Sequence, residues 1–436
     1  MAEGERVAST GDYVVRRFRA ALPGEDEYDQ TRAWIRAVGA GFYDKRRSDD
    51  FVAKTAASLV ADGREITGAY QTGQVSEGTP AAEVPVATFA TFRKTLNAGY
   101  GVLVPAHLIT AVTVRTSHRR RGLLRRLMTE DLERARRDGV AVAALTASEA
   151  SIYRRFGFGV ATSERRITVT TGPRFRLAVP TDRRIETADP AALLELAPRI
   201  FSRVHRATPG SIDRQERYRL AAGGQWDENG GEDASLRAAL HFGADGEPDG
   251  YVTYSFRGWQ HEPHTMDIRD LVAATPEAYL ALWDFLGSLD LVRRVAWQDA
   301  PVDDPLAWAL EDPRALRAEA AQDMLWLRIL DVPAALSVRR YGADGELVIE
   351  VADGLGLADG RYRLHVEGGA ASVAAADGEE PDLSLDVAEL ASLYVGGVRA
   401  TTLREAGRIV EATPGAALAA ERMFAVERPA HCLTHF

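Results

Sequence analysis

Residues 112–159 constrain the fold of this chain more than any other stretch. The apolar strand Val112-Thr113-Val114 runs into Arg115-Thr116-Ser117-His118-Arg119-Arg120-Arg121-Gly122. Leu123, Leu124, Leu127, Met128, Leu132 and Ala135 then recur at helical spacing, one apolar stripe over 122–137. Asp138-Gly139 ends that helix, and 140–145 resumes as a buried strand. Ala147-Ser148-Glu149 and Tyr153-Arg154-Arg155-Phe156-Gly157-Phe158 complete the stretch. Strands alternating with amphipathic helices bury both element types only in layers, so an α/β sandwich is expected.

The whole chain is too long for one core. At 436 residues it should hold two or three domains of roughly 100–200 residues. Helices are predicted at 31–39 and 49–61, and strands at 84–94, 101–109 and 112–115. A Pro- and Arg-rich connection at 172–184 closes a first domain, 1–172. A second, 173–318, has helices at 190–204, 214–221 and 276–286, and strands at 235–241, 250–257 and 292–297. Its loop 223–231, rich in Gly and acidic residues, reads as a flexible connection. In the third, 319–436, Leu325, Leu327 and Ile329 alternate with Trp326 and Arg328, as in a half-buried strand. Strands at 346–351, 361–366 and 371–374 and helices at 386–395 and 402–410 follow.

Composition excludes several roles. A net charge of −10 opposes general nucleic-acid binding, which needs a basic face, and suits a cationic partner. No apolar run reaches ~18 residues, so no membrane insertion is expected. Met-Ala-Glu-Gly-Glu-Arg has neither the basic nor the apolar part of a secretory leader, and the one cysteine, Cys432, suits a reducing cytoplasm.

The chemistry converges on the opening stretch. Amides at a helix N-terminus are unpaired and carry partial positive charge, so they bind phosphate. Gly122 lets the backbone come close, and Arg119, Arg120, Arg121 and Arg125 add donors suited to a pyrophosphate and a 3′-phosphate. The same run also fits a solvated basic face. The edge of Val112, Thr113 and Val114 can pair with the amides of a pantetheine arm, and one of its N–H groups can polarise a thioester carbonyl. Tyr153 is acidic enough to protonate a departing thiolate, and equally a common packing residue.

Arg119-x-x-Gly122-x-Leu124 and Tyr153-x-x-Phe156-Gly157-Phe158 resemble the acetyl-CoA signature of the GCN5-related N-acetyltransferase (GNAT) superfamily. Leu124 stands where Gly or Ala is usual, a departure shared by one branch. His118 to Arg125, Ala147-Ser148-Glu149, Leu325-Trp326-Leu327-Arg328-Ile329 with Val332-Pro333-Ala334-Ala335-Leu336, Leu393-Tyr394-x-Gly396-Gly397 and a terminal Phe are similar to the Eis (enhanced intracellular survival) acetyltransferases of that branch.

This resemblance implies two tandem GNAT-like domains, a sterol-carrier-protein-like domain that delivers the C-terminus, and a homohexamer. It implies acetyl transfer from acetyl-CoA to amines of aminoglycoside-like polycations at several positions, or to protein lysines. A non-enzymatic lipid-binding role of the third domain is the other reading. Matched residue by residue, acetyl-CoA contacts fall on Val112, Thr113, Val114, Arg120, Arg121, Gly122, Leu123, Leu124, Arg125, Ser148 and Glu149. The acid falls on Tyr153 and the base on the terminal carboxylate of Phe436, a group able to take a proton from an attacking ammonium. Trp34, Phe42, Tyr43 and Asp44 are acceptor-pocket candidates, since rings and a carboxylate suit a cation. No metal is expected: His261-Glu262-Pro263-His264 lacks helical His-Glu-x-x-His spacing. Cys432 has no identifiable catalytic partner and reads as inert.

Overall fold

The computed structural model describes residues 12–73 and 75–436 and the backbone of 6–10. Its first sheet contains β1 (Arg6–Thr10), β2 (Tyr13–Arg19), β3 (Glu65–Gln71), β4 (Ala87–Asn97), β5 (Leu103–Val114), β6 (Val142–Thr146) and β7 (Gly159–Val160). Between β6 and β7 lies Leu325–Ile329, from far along the chain. Residues alternate across this sheet. Phe89 packs with Leu123, Leu127 and Met128 of α3 (Leu123–Arg137) on one face. Ala90 packs on the other with Trp34 and Ile35 of α1 (Tyr28–Gly41) and Val52 and Leu59 of α2 (Asp49–Ala61).

Two local features open the sheet where a ligand can enter. Thr88 pairs with Thr113 but Ala90 with Thr110, so Ala111 and Val112 together face Phe89 alone. This bulge, with Ala111 at φ +53°, bends β5. β6 pairs in parallel with β5 only over Ala106–Leu108, which leaves Val112–Val114 without a strand on that side. The predicted strands 101–109 and 112–115 are therefore one strand, continuous through the bulge.

The first two sheets exchange strands across the expected boundaries at 172 and 318. β8 (Ser163–Thr170) lies in the second sheet, between Leu316–Ala318 and Arg294–Pro301. That sheet continues through Thr265–Ala273, Pro248–Phe256, Arg237–Phe242 and Ile185–Ala188. Thr265–Ala273 escaped sequence reading because Asp267, Arg269 and Asp270 interrupt its apolar pattern. The return strand Leu325–Ile329 is buried on both faces and not half-buried as its alternation suggested. Arg328 is tolerated there because its guanidinium meets Asp353 of the third domain at 2.6 Å.

The third sheet orders Ala370–Ala375, Gly360–Glu367, Gly345–Ala352, Leu383–Asp386 and Ile409–Glu411. The helix predicted at 402–410 is Ala400–Glu405 followed by that last strand, and Ala416–Phe424 adds a helix the sequence reading missed. Leu347, Ile349, Leu364, Leu383 and Leu390 join Phe92, Leu96, Leu108 and Leu325 in one core, so the first and third domains share an interior.

The loop 223–231 is not a loose connection. Trp226 is buried and meets Phe51 of α2 edge-to-face at 6.0 Å, and Lys54 Nζ donates to the carbonyl of Gly230 at 2.9 Å. It clamps the second domain onto the first. Among the described residues no helix is long and apolar enough to cross a membrane.

Candidate active site

α3 starts without a side-chain cap: its N-cap is Gly122 at φ +78°, a left-handed conformation that glycine adopts without strain. Arg120 is left-handed too, at φ +62°. The 3-10 turn Thr116–His118 and these two residues bend the chain so that the first amides of a 15-residue helix have no protein cap. They open on a cleft of about 590 Å³. Val112, Thr113, Val114, Arg120, Gly122, Leu123, Leu124, Arg125, Ser148 and Glu149 all line it, as do Phe42, Tyr43 and Tyr153. Arg121 does not. Its guanidinium donates to the Tyr13 hydroxyl at 2.8 Å and stays with the β2 strand. Arg119 lines the cleft but donates its Nε to the Val114 carbonyl at 3.3 Å, bracing the strand end.

Tyr153 ends the short helix α4 (Ala150–Tyr153) and is 6 % exposed. Its ring packs edge-to-face on Phe158, centroids 6.3 Å apart. Burial, with Glu149 nearby, raises the phenol pKa above its ordinary value, so the group holds its proton at neutral pH.

A second cavity of about 290 Å³ lies beside the cleft and shares Phe42, Val112, Ser148 and Tyr153 with it. Thr110, Ala111, Thr146, His435 and Phe436 line it as well. The fold thus brings Tyr153 and the chain terminus to one space.

The terminus is tied down along its length. Thr434 Oγ1 donates to the Ile212 carbonyl at 2.7 Å, and the His435 amide donates to the Tyr218 hydroxyl at 2.7 Å. The hydroxyl of Thr146 donates to the Phe436 main-chain oxygen at 2.7 Å. The Phe436 ring meets Phe92 edge-to-face at 5.9 Å. His435 Nε2 lies 3.4 Å from Glu164 and 3.5 Å from Asp299. Burial works to lower this imidazole's pKa, but hydrogen bonds to Asp299 and Glu164 outweigh it and push it up to about 10. Imidazole and two carboxylates thus meet as one ionic cluster that ties the end of the chain to the second domain.

Other sequence candidates fall elsewhere. Trp34 is core: it is 2 % exposed and donates to the Thr67 carbonyl at 2.8 Å. Asp44 sits on the surface after α1 and lines neither cavity, whereas Phe42 lines both. His264 meets Trp259 and Phe256 edge-to-face in the second domain and pairs with Glu262 at 3.0 Å. Burial pushes the Cys432 thiol up to about 11, which suits an inert side chain. Thr146 and His435 escaped sequence reading, because their partners lie in distant segments.

Residues 25–161 and 210–329 each match an acetyltransferase (GNAT) domain, and residues 332–433 match a sterol carrier protein domain. The N-acetyltransferase Eis of Mycobacterium tuberculosis is 35% identical over 334 residues, 71% of this chain and 75% of that protein. The chain belongs to the Eis family. An uncharacterized N-acetyltransferase of Streptomyces avermitilis is 37% identical over 409 residues, covering 90% of this chain and 93% of the relative. The crystal structure of Eis1 from Mycobacterium abscessus superposes with a TM-score of 0.79 at 30% identity, over 96% of this chain and 99% of that one. This Eis-family member is an N-acetyltransferase built from two GNAT domains and a sterol-carrier domain. GNAT acetyltransferases draw their acetyl group from acetyl-CoA, which accounts for a cleft with an uncapped helix N-terminus and arginines.

Proposed function

We propose that the chain transfers acetyl from acetyl-CoA directly to amines of an aminoglycoside-like polycation, at more than one position. The observation that carries this reading is the shared cavity holding Tyr153 and Phe436 beside the coenzyme cleft. The pyrophosphate rests on the amides after Gly122 with Arg120 and Arg125, and the pantetheine arm runs along Val112–Val114. The acceptor ammonium gives a proton to the Phe436 carboxylate. The free amine attacks the thioester carbonyl and an amide of the Val112–Val114 strand steadies the oxyanion; as the C–S bond breaks Tyr153 protonates the leaving thiolate, and the tyrosinate then takes the second proton from the acylated nitrogen. The net charge of −10 draws a polycation toward the protein. The third domain's apolar side chains are used in a core continuous with the first, which favours a support role over lipid carriage. We also propose a cytoplasmic homohexamer, on family resemblance alone.

The test is an acetyl-CoA consumption screen over aminoglycosides, polyamines and lysine peptides, with product masses. Multiple acetylation of aminoglycosides is the expected result. Turnover confined to lysine peptides would transfer the same chemistry to protein acceptors.

A further inference from the structure

Tyr153 stands on a single helical turn, α4, followed by the 3-10 turn Arg154–Phe156 and Gly157 at φ +79°. Four residues cannot hold a helix by themselves, so its position must come from packing. The support is the third domain's helix Val387–Leu393. A Cβ built on Gly159 would stand 1.8 Å from the Ala388 carbonyl oxygen, and one on Gly157 2.7 Å from both Arg328 Nε and Val387 Cγ1. At Gly159 backbone meets backbone with no space between, and at Gly157 side chains fill it.

One side chain of this helix reaches across. Glu389 is 3 % exposed at its side chain and accepts from two cations: Arg408 Nε at 2.9 Å, within its own domain, and Arg154, the residue next to Tyr153. A buried carboxylate needs neutralisation, and Arg408 already supplies it. Arg154 is therefore an additional tie, joining the Tyr153 turn to the third domain. The coenzyme cleft is lined by Arg155 and not by Arg154.

We propose that Arg154, anchored by Glu389, is a positioning residue that sets the placement of Tyr153, so that the sterol-carrier domain orients the acid as well as delivering the C-terminus. The inference rests on the reading of Tyr153 as the acid. A misplacement of about 1 Å in such a group can cost on the order of 100-fold in rate.

Steady-state kinetics of the full-length protein test it. Arg154→Met should lower kcat about tenfold while KM for acetyl-CoA stays put, and Arg154→Lys should recover part of the loss. Arg408→Met removes the other cation from the same carboxylate and should keep kcat within about twofold, whatever it does to the melting temperature. The double variant Tyr153→Phe/Arg154→Met should be no slower than Tyr153→Phe alone, as for residues acting in series. Equal kcat losses in Arg154→Met and Arg408→Met, or multiplying losses in the double variant, would overturn the proposal. Loss in Tyr153→Phe with none in Arg154→Met overturns it alone. Full turnover in Tyr153→Phe removes the acid assignment and this inference together.

Discussion

Thr146, the last residue of β6, holds the main-chain oxygen of Phe436 at 2.7 Å, although 290 residues of chain separate them. The terminal amide also lies 3.4 Å from the same hydroxyl, so one side chain fixes both ends of the last residue. A hydrogen bond to a charged group contributes about 1.5–3 kcal/mol. Thr146→Val keeps the shape and removes the hydroxyl. It should lower kcat by about 10- to 100-fold, with acetyl-CoA affinity unchanged, as read by steady-state kinetics and calorimetry. Wild-type turnover in this variant would show that the terminus is placed by its other contacts.

A single glycine appended after Phe436 converts the carboxylate into a neutral amide in a cavity of about 290 Å³. It should abolish most turnover while leaving acetyl-CoA binding intact. Amidation of the terminus should do the same without added bulk, which separates loss of charge from steric obstruction. Full activity in the amidated protein would discard the carboxylate as base.

The raised pKa of Tyr153 gives a pH signature. An acid must be protonated to act, so the alkaline limb of kcat should lie above the ordinary tyrosine value of about 10. Tyr153→Phe should reduce kcat by about 100-fold or more and remove that limb. A limb persisting unchanged in Tyr153→Phe would assign it to another group.

His435 should leave its mark on stability. Its folded pKa, pushed up to about 10, exceeds the ordinary value of about 6.5. The stabilisation is full below about pH 6.5 and is lost as pH rises through 10. Because the ring is partly exposed, the cluster contributes on the order of 1 kcal/mol. The melting-temperature gap between wild type and His435→Gln should be largest at about pH 6, shrink as pH rises and close toward pH 10, followed by scanning calorimetry. A gap constant over this range would mean that the cluster carries no net charge effect.

The cleft proposed for the coenzyme was legible in the sequence because its lining residues are neighbours in the chain. Strand, left-handed Gly122, helix and Tyr153 follow one another within 112–159, and period and turn chemistry act over those distances. Arg121 shows the limit. Three consecutive arginines look alike in sequence, and only the nearness of Tyr13 on β2 draws one of them away from the cleft. Trp34 and Phe42 make the same point, since an aromatic ring lines a pocket or fills a core according to which helix face it occupies.

The exchange of strands was hidden for a related reason. Leu325–Ile329 reads as the start of the last domain because it adjoins it in the chain, yet it completes the first sheet between β6 and β7. Its alternation suggested one wet face, and burial of Arg328 against Asp353 made both faces dry. Pairing across so many residues depends on which edge is vacant once the rest has packed, and no local pattern encodes that.

The amino-acid order alone thus determined the reaction class and marked out the strand, glycine turn, helix and tyrosine that line one cleft, through interactions a few residues long. Only the tertiary structure decided that Phe436 would stand in one cavity with Tyr153, and what would hold each of them. Thr146, His435 with its two carboxylates, and the Glu389–Arg154 tie all join segments brought together by the burial of shared apolar cores. Such contacts form only after the loop entropy between them has been overcome by packing, which is a property of the whole chain and not of any stretch of it.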